Sequence, residues 1–140
     1  DLPPAAGYLE YGHVKLREQL GLLSGPVEEF QKSAEAEHNA MLSMLVDEGY
    51  LDASALEDEL ANENEIVDAL YRGLKGSPCK LMAASIVDAV GEKRTQNQPG
   101  TSNEYPNWRI PLADGDGNVV PLEQLFDNTR LQEIAAIMRG

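Results

Sequence analysis

Lys80 to Val87 reads Lys-Leu-Met-Ala-Ala-Ser-Ile-Val, a short and nearly unbroken apolar run bounded by turn residues. Such a run predicts a strand buried on both faces, the pattern of a parallel sheet rather than a half-exposed antiparallel one. Parallel strands are joined by crossover connections, and the rest of the sequence offers no second convincing strand to pair with. The reading is therefore of one strand whose neighbours lie outside this chain. The beginning agrees with it, because Asp1-Leu2-Pro3-Pro4 carries no initiator Met, no basic n-region and no apolar h-region and reads as an internal segment.

Around the run, the periodicity is helical. Leu9, Val14, Leu16, Leu20 and Leu23 predict a helix over 8–23, ended by Gly21 and Ser24-Gly25-Pro26. A second helix is expected from Val27 to about Glu48, with Pro26 at its first turn, Glu28 and Glu29 on its positive end, Phe30, Ala34, Met41 and Leu45 as its inward stripe, and Gly49 as its stop. Asp52 to Leu60 predicts a short helix. Asn62 or Asn64 caps the next, which runs through Ile66 and Ala69 to Leu74 and is ended by Gly73, Gly76 and Pro78. A helical turn from Asp88, a polar loop over 91–117 and a closing helix from about Leu122 or Thr129 complete the chain, with no internal repeat.

The 140 residues fit a piece of ordinary domain size, and the formal net charge of −13 disfavours nucleic acid and anionic membrane surfaces while leaving neutral ligands such as sugars unaffected. No run approaches transmembrane length. Cys79 is the single cysteine, so no internal disulfide forms; a reducing cytoplasmic compartment and a buried apolar role for this side chain are the simplest expectations.

Three motifs are weighed and set aside. Glu10 to His13 and Glu35 to His38 have the Glu-x-x-His spacing of di-metal helix bundles, but the further inward carboxylates on helices of bundle length are missing, so surface charge is the better reading. Asp114-Gly115-Asp116-Gly117-Asn118 begins like a calcium loop, yet Val119 and Leu125 stand where the glycine and the bidentate Glu belong; a polar turn is expected instead. No activated nucleophile pattern surrounds Cys79, His13 or His38. No metal and no cofactor is expected.

The segment from Asn97 to Arg109 is different in kind. Asn97, Asn103 and Asn107 supply carboxamides that pair with ring hydroxyls, Tyr105 and Trp108 supply apolar faces for sugar C–H surfaces, and Pro99, Gly100 and Pro106 stiffen the backbone. A loop this long, with this aromatic content, is a binding loop rather than a disordered one. An equal alternative is that Tyr105 and Trp108 pin the loop to the core.

Asn97-x-Pro99-Gly100-Thr101 followed by Tyr105-Pro106-Asn107-Trp108-Arg109 resembles the C-terminal signature of bacterial amylomaltases, the 4-α-glucanotransferases of glycoside hydrolase family 77. Asp1 to Tyr8 resembles the segment after strand seven of that family's barrel, where a Thr-His-Asp motif ends in a catalytic Asp, and Ala136 to Gly140 resembles the family's chain end. The resemblance implies an α/β fold: the C-terminal fragment of a (β/α)8 TIM barrel, mostly helical, with Lys80 to Val87 as strand eight. Such a barrel takes about 250 residues, so residues 1–140 are expected to form an incomplete domain, from the strand-seven loop to the final helix. It further implies retaining transfer of α-1,4-glucan segments between malto-oligosaccharides, with the nucleophile and acid/base on the missing N-terminal part. By the same resemblance Asp1 is the carboxylate that stabilises the transition state, and Asn97, Pro99, Gly100, Asn103, Tyr105 and Trp108 contribute to substrate binding, the two aromatics partly as scaffold. Gln98 stands where relatives vary or are apolar. The rival classes are a noncatalytic carbohydrate-binding or assembly module and a helical di-metal carboxylate protein.

Overall fold

A computed structural model describes residues 2–140. The elements in order are α1 (Ala5–Leu9), α2 (Gly12–Gln19), α3 (Val27–Asp47), a 3-10 turn (Ala53–Glu57), α4 (Glu63–Gly76), α5 (Ile86–Ala89), α6 (Leu122–Leu125) and α7 (Thr129–Arg139). Among the described residues none forms a strand; the one backbone bridge joins Ala113 and Val119.

Helix α4 organises the packing because two of its faces are apolar. Ile66 and Ala69 bury against Leu42 and Leu45 of α3, with Leu51 just after that helix and Ala55 of the 3-10 turn. Val67 and Tyr71 face Ala89 and Ile134, so that α7 closes the other side. Arg130 fastens that side as well: its guanidinium donates to Asp68 Oδ1 at 2.7 Å, to Glu133 Oε2 at 2.5 Å and to the Asn64 carbonyl at 3.2 Å. Asn62 precedes α4 as expected, but its side chain donates backwards to the carbonyls of Ala55 and Asp58 instead of accepting from the helix.

Four expectations need correction. The apolar run beginning at Lys80 is not a strand: residues 78–84 are exposed and irregular, and Ser85 already leads into α5, whose local bonds run from Ala89 N–H to the Ser85 carbonyl and from Val90 N–H to that of Ile86. A strand exists only through backbone pairing, and no described segment forms a backbone ladder with this one. Cys79, expected in the interior, is exposed on the same stretch. The predicted helix over 8–23 is two helices, broken where Tyr11 takes φ 59° and the chain folds back so tightly that a Cβ on Gly12 would stand 2.9 Å from the Gly7 carbonyl oxygen. On α3 the fully buried residues are Ala34, His38, Leu42 and Leu45, with Phe30 and Met41 only half-buried.

Candidate functional site

Residues 91–117 form an ordered loop, and its order starts at Gly91. With φ 76° this residue ends α5 by turning the chain back, so that Gly91 N–H reaches the Asp88 carbonyl and Glu92 N–H that of Val87. The turn delivers Glu92 into the interior, 1% exposed. Burial alone would push its carboxyl up. The Arg94 side chain, the backbone N–H groups of Arg94 and Ala113, and the guanidinium charge together hold it below the usual range.

Past Glu92 the loop is tied to itself residue by residue. Tyr105 donates its hydroxyl to the Thr95 carbonyl at 2.6 Å, and Trp108 N–H donates to the Gln96 carbonyl at 2.8 Å. Gln98 N–H donates to Asn107 Oδ1 at 2.7 Å, Asn107 Nδ2 to Thr101 Oγ1 at 2.8 Å, and Thr101 Oγ1 to the Gln98 carbonyl at 2.7 Å, a closed circuit across the loop. Pro99, Gly100 and Pro106 lie outside that circuit, although the Pro99 carbonyl accepts from Gln98 Nε2 and the Pro106 carbonyl from Arg109 N–H.

The loop faces α1 and α2 across a cleft of about 780 Å³. Its lining includes Leu2 and Pro3 from the chain's start, Tyr8, His13 and Arg17 from α1 and α2, and Arg94, Gln98, Pro99 and Tyr105 from the loop. The rings of Tyr8 and His13 stack at 5.0 Å. Burial holds the His13 imidazole below the ordinary histidine range, with Glu37 opposing and Arg17 reinforcing the effect. Lys93 reaches Glu10 at 2.6 Å, so Glu10 is engaged in an ion pair, and His38 meets Glu59 at 2.6 Å across the neighbouring elements. Neither Glu-x-x-His spacing therefore joins its own two members.

Of the sequence-predicted site residues, Pro99 and Tyr105 line the cleft. Asn97, Gly100, Asn103 and Trp108 share the loop without lining it, and Asp1 lies outside the described residues. The Tyr105 hydroxyl bonds the Thr95 carbonyl, which ties the loop to itself rather than to the core, and Trp108 is 71% exposed, with its backbone at φ 59° in a turn closed by Arg109 N–H to the Pro106 carbonyl. A non-glycine residue kept in the left-handed region marks local strain, and such strain gathers at binding sites. Asp114 accepts from the N–H groups of Asp116 and Asn118, which makes 114–118 the polar turn expected of it. Glu92 and Gln98 are the residues that sequence reasoning passed over. One was a lone acid in a charged tripeptide and the other an apparent departure from a pattern, and nothing local signals that either is buried.

The family description 4-alpha-glucanotransferase, glycoside hydrolase family 77, matches residues 1–116. The chain belongs to that family. It is 48% identical over all 140 residues to a 4-alpha-glucanotransferase of Mycobacterium tuberculosis and 27% identical over 135 residues to one of Haemophilus influenzae. It covers 19% and 18% of those relatives' lengths. The crystal structure of amylomaltase from Corynebacterium glutamicum superposes with a TM-score of 0.85 at 37% identity, over 99% of this chain and 20% of that one. As a glycoside hydrolase family 77 chain, this one thus spans about a fifth of its relatives, and the arrangement of α4, α7 and the 91–117 loop is shared with a solved member. Among the described residues no helix is long and apolar enough to cross a membrane.

Proposed function

We propose that this chain is the C-terminal segment of the catalytic barrel of a 4-α-glucanotransferase, running from the strand-seven loop to the final helix. The whole enzyme transfers α-1,4-glucan segments between malto-oligosaccharides by a retaining double displacement in a reducing cytoplasm, and the earlier part of the chain supplies the nucleophile and the acid/base. Asp1 contributes the carboxylate that stabilises the oxocarbenium-like transition state, and the loop bearing Asn97, Pro99, Gly100, Asn103, Tyr105 and Trp108 forms part of the glucan-binding rim. The observation that carries this reading is similarity to 4-alpha-glucanotransferases along the entire chain, 48% over 140 residues. A second observation supports it: Leu2 and Pro3 line the same cleft as Pro99 and Tyr105 of the stiffened loop, so the chain's first described residues and part of the rim share one cavity. In the whole enzyme the stretch before α5 would gain its backbone partners from the earlier part of the chain and pair there as strand eight, a reading supported by Leu81, which is 94% exposed in a run that is otherwise largely apolar.

The test is Asp1→Asn in the intact enzyme. Removing a charge that acts on the transition state should lower kcat about a hundredfold or more while KM for maltotriose moves little. The 140-residue piece alone should release no glucose from maltotriose at any concentration. Near-normal disproportionation by the Asn variant, or turnover by the piece, would remove the assignment.

A further inference from the structure

The stretch from 93 to 113 carries every loop residue assigned to the rim, and both of its ends converge on one carboxylate. Glu92 Oε1 accepts from the Arg94 N–H at 2.9 Å and from Arg94 Nε at 2.9 Å. Its Oε2 accepts from Arg94 Nη2 at 2.7 Å and from the Ala113 N–H at 3.0 Å, the latter from a residue that is fully buried and 21 positions further along. Arg94 Nη2 donates in addition to the Pro111 carbonyl at 2.9 Å. One buried acid and one arginine therefore close the neck of the loop, where Ala113 also bridges to Val119.

We infer that Glu92 is a positioning residue for glucan binding: it clasps the neck of the 93–113 loop so that the rim residues are held ready for the sugar. This rests on the proposed function, because the loop must bind glucan for its order to matter there. The chemistry requires a carboxylate. A fully engaged carboxylate presents two acceptor oxygens to four donors, whereas a Gln presents one oxygen and an NH2 group that in either orientation faces one guanidinium N–H and one backbone N–H, donor against donor. An Asp is one methylene too short to keep both oxygens on both ends. Loop order held in advance lowers the entropy lost when ligand binds, so its removal weakens binding before it touches the reacting atoms.

The experiment uses the intact enzyme with Glu92→Gln, with Arg94→Lys as the milder variant should the first fail to accumulate, since Lys keeps the charge and loses the fork. Maltotriose disproportionation and backbone amide exchange over 94–112 are both measured, against the exposed control Glu65→Gln. Expected for Glu92→Gln is a KM raised about five- to tenfold with kcat within about threefold, together with faster exchange confined to the loop. Arg94→Lys should shift both readouts in the same direction by less, and Glu65→Gln should shift neither. Unchanged exchange in both loop variants overturns the clasp. Faster exchange with unchanged KM overturns its role in binding. If the unmodified enzyme does not transfer glucan, the proposed function falls and takes the binding role with it, whereas an active unmodified enzyme and variants that match it in KM sink the positioning role alone.

Discussion

A Cβ placed on Gly7 would lie 2.1 Å from the Lys93 carbonyl oxygen and 3.0 Å from its carbon, both backbone atoms that no rotamer change can move. Absence of a side chain at this one position lets α1 lie against the backbone of Lys93. Gly7→Ala should destabilise the intact enzyme by ~1–3 kcal/mol through overpacking, and a thermal midpoint unchanged from the parent would show that the backbones separate freely. The contact joins residues 86 positions apart, so no local pattern could announce it. The same holds elsewhere at this scale. The carboxamides and aromatics of 97–108 were legible as loop chemistry, yet which of them face the cleft depends on a circuit through Gln98, Thr101 and Asn107 that only the folded loop closes. Trp108 gave the opposite lesson, since an aromatic residue usually signals burial and here the left-handed backbone turns it out to solvent.

At the scale of elements, α1, α4 and α5 meet at a single joint. Asp88 Oδ1 accepts from the Ala5 N–H at 2.7 Å, its Oδ2 accepts from the Tyr71 hydroxyl at 2.7 Å, and that hydroxyl in turn accepts from the Ser85 N–H at 3.0 Å. Burial first, and then the hydrogen bond to Asp88, push the Tyr71 phenol from 10.0 up to about 12. The folded state thus holds this proton more tightly than the unfolded chain does. The stabilisation is complete below the unfolded value and is lost as pH rises from about 10 to about 12, a total of roughly 2–3 kcal/mol for a shift of that size. Tyr71→Phe cannot ionise. It should be less stable than the parent by ~1 kcal/mol or more at neutral pH, and the gap should shrink across that alkaline window and reverse if it starts at about 1 kcal/mol. Thermal midpoints of both proteins over the same pH range decide the matter, and a gap that stays constant would mean that the phenol titrates as it does in the unfolded chain. Elements with a long apolar stripe, α3 and α7, or with turn signals at their ends, α4, were readable because their periodicity is local. The break at Tyr11 was not, because Gly7 sits inside α1 without ending it and the chain turns only at Tyr11, where Gly12 comes close to the Gly7 carbonyl.

For the whole molecule, the apolar run ahead of α5 is where sequence and structure part, and the reason is physical. Apolar content predicts burial, but a strand also requires backbone partners, and the described residues supply none for 80–85. The result is a protein that exposes Leu81 at 94%, with Leu2 at 90% and a second, smaller cavity of about 350 Å³ between the chain's start and Ala83. Substitution at a site that exposed would ordinarily change stability by less than about 0.5 kcal/mol. If Lys80 to Ser85 instead pairs with barrel strands in the whole enzyme, Leu81 is buried there and an uncompensated carboxylate in its place is heavily penalised. Leu81→Asp should accordingly lower the thermal midpoint of the intact enzyme by many degrees, or prevent its accumulation in soluble form. The same change at Phe126, which is 76% exposed just after the short helix α6, serves as the comparison. A Leu81→Asp enzyme with the parent's midpoint would mean that this run stays in solvent even in the complete protein, and the barrel reading of it would have to be given up.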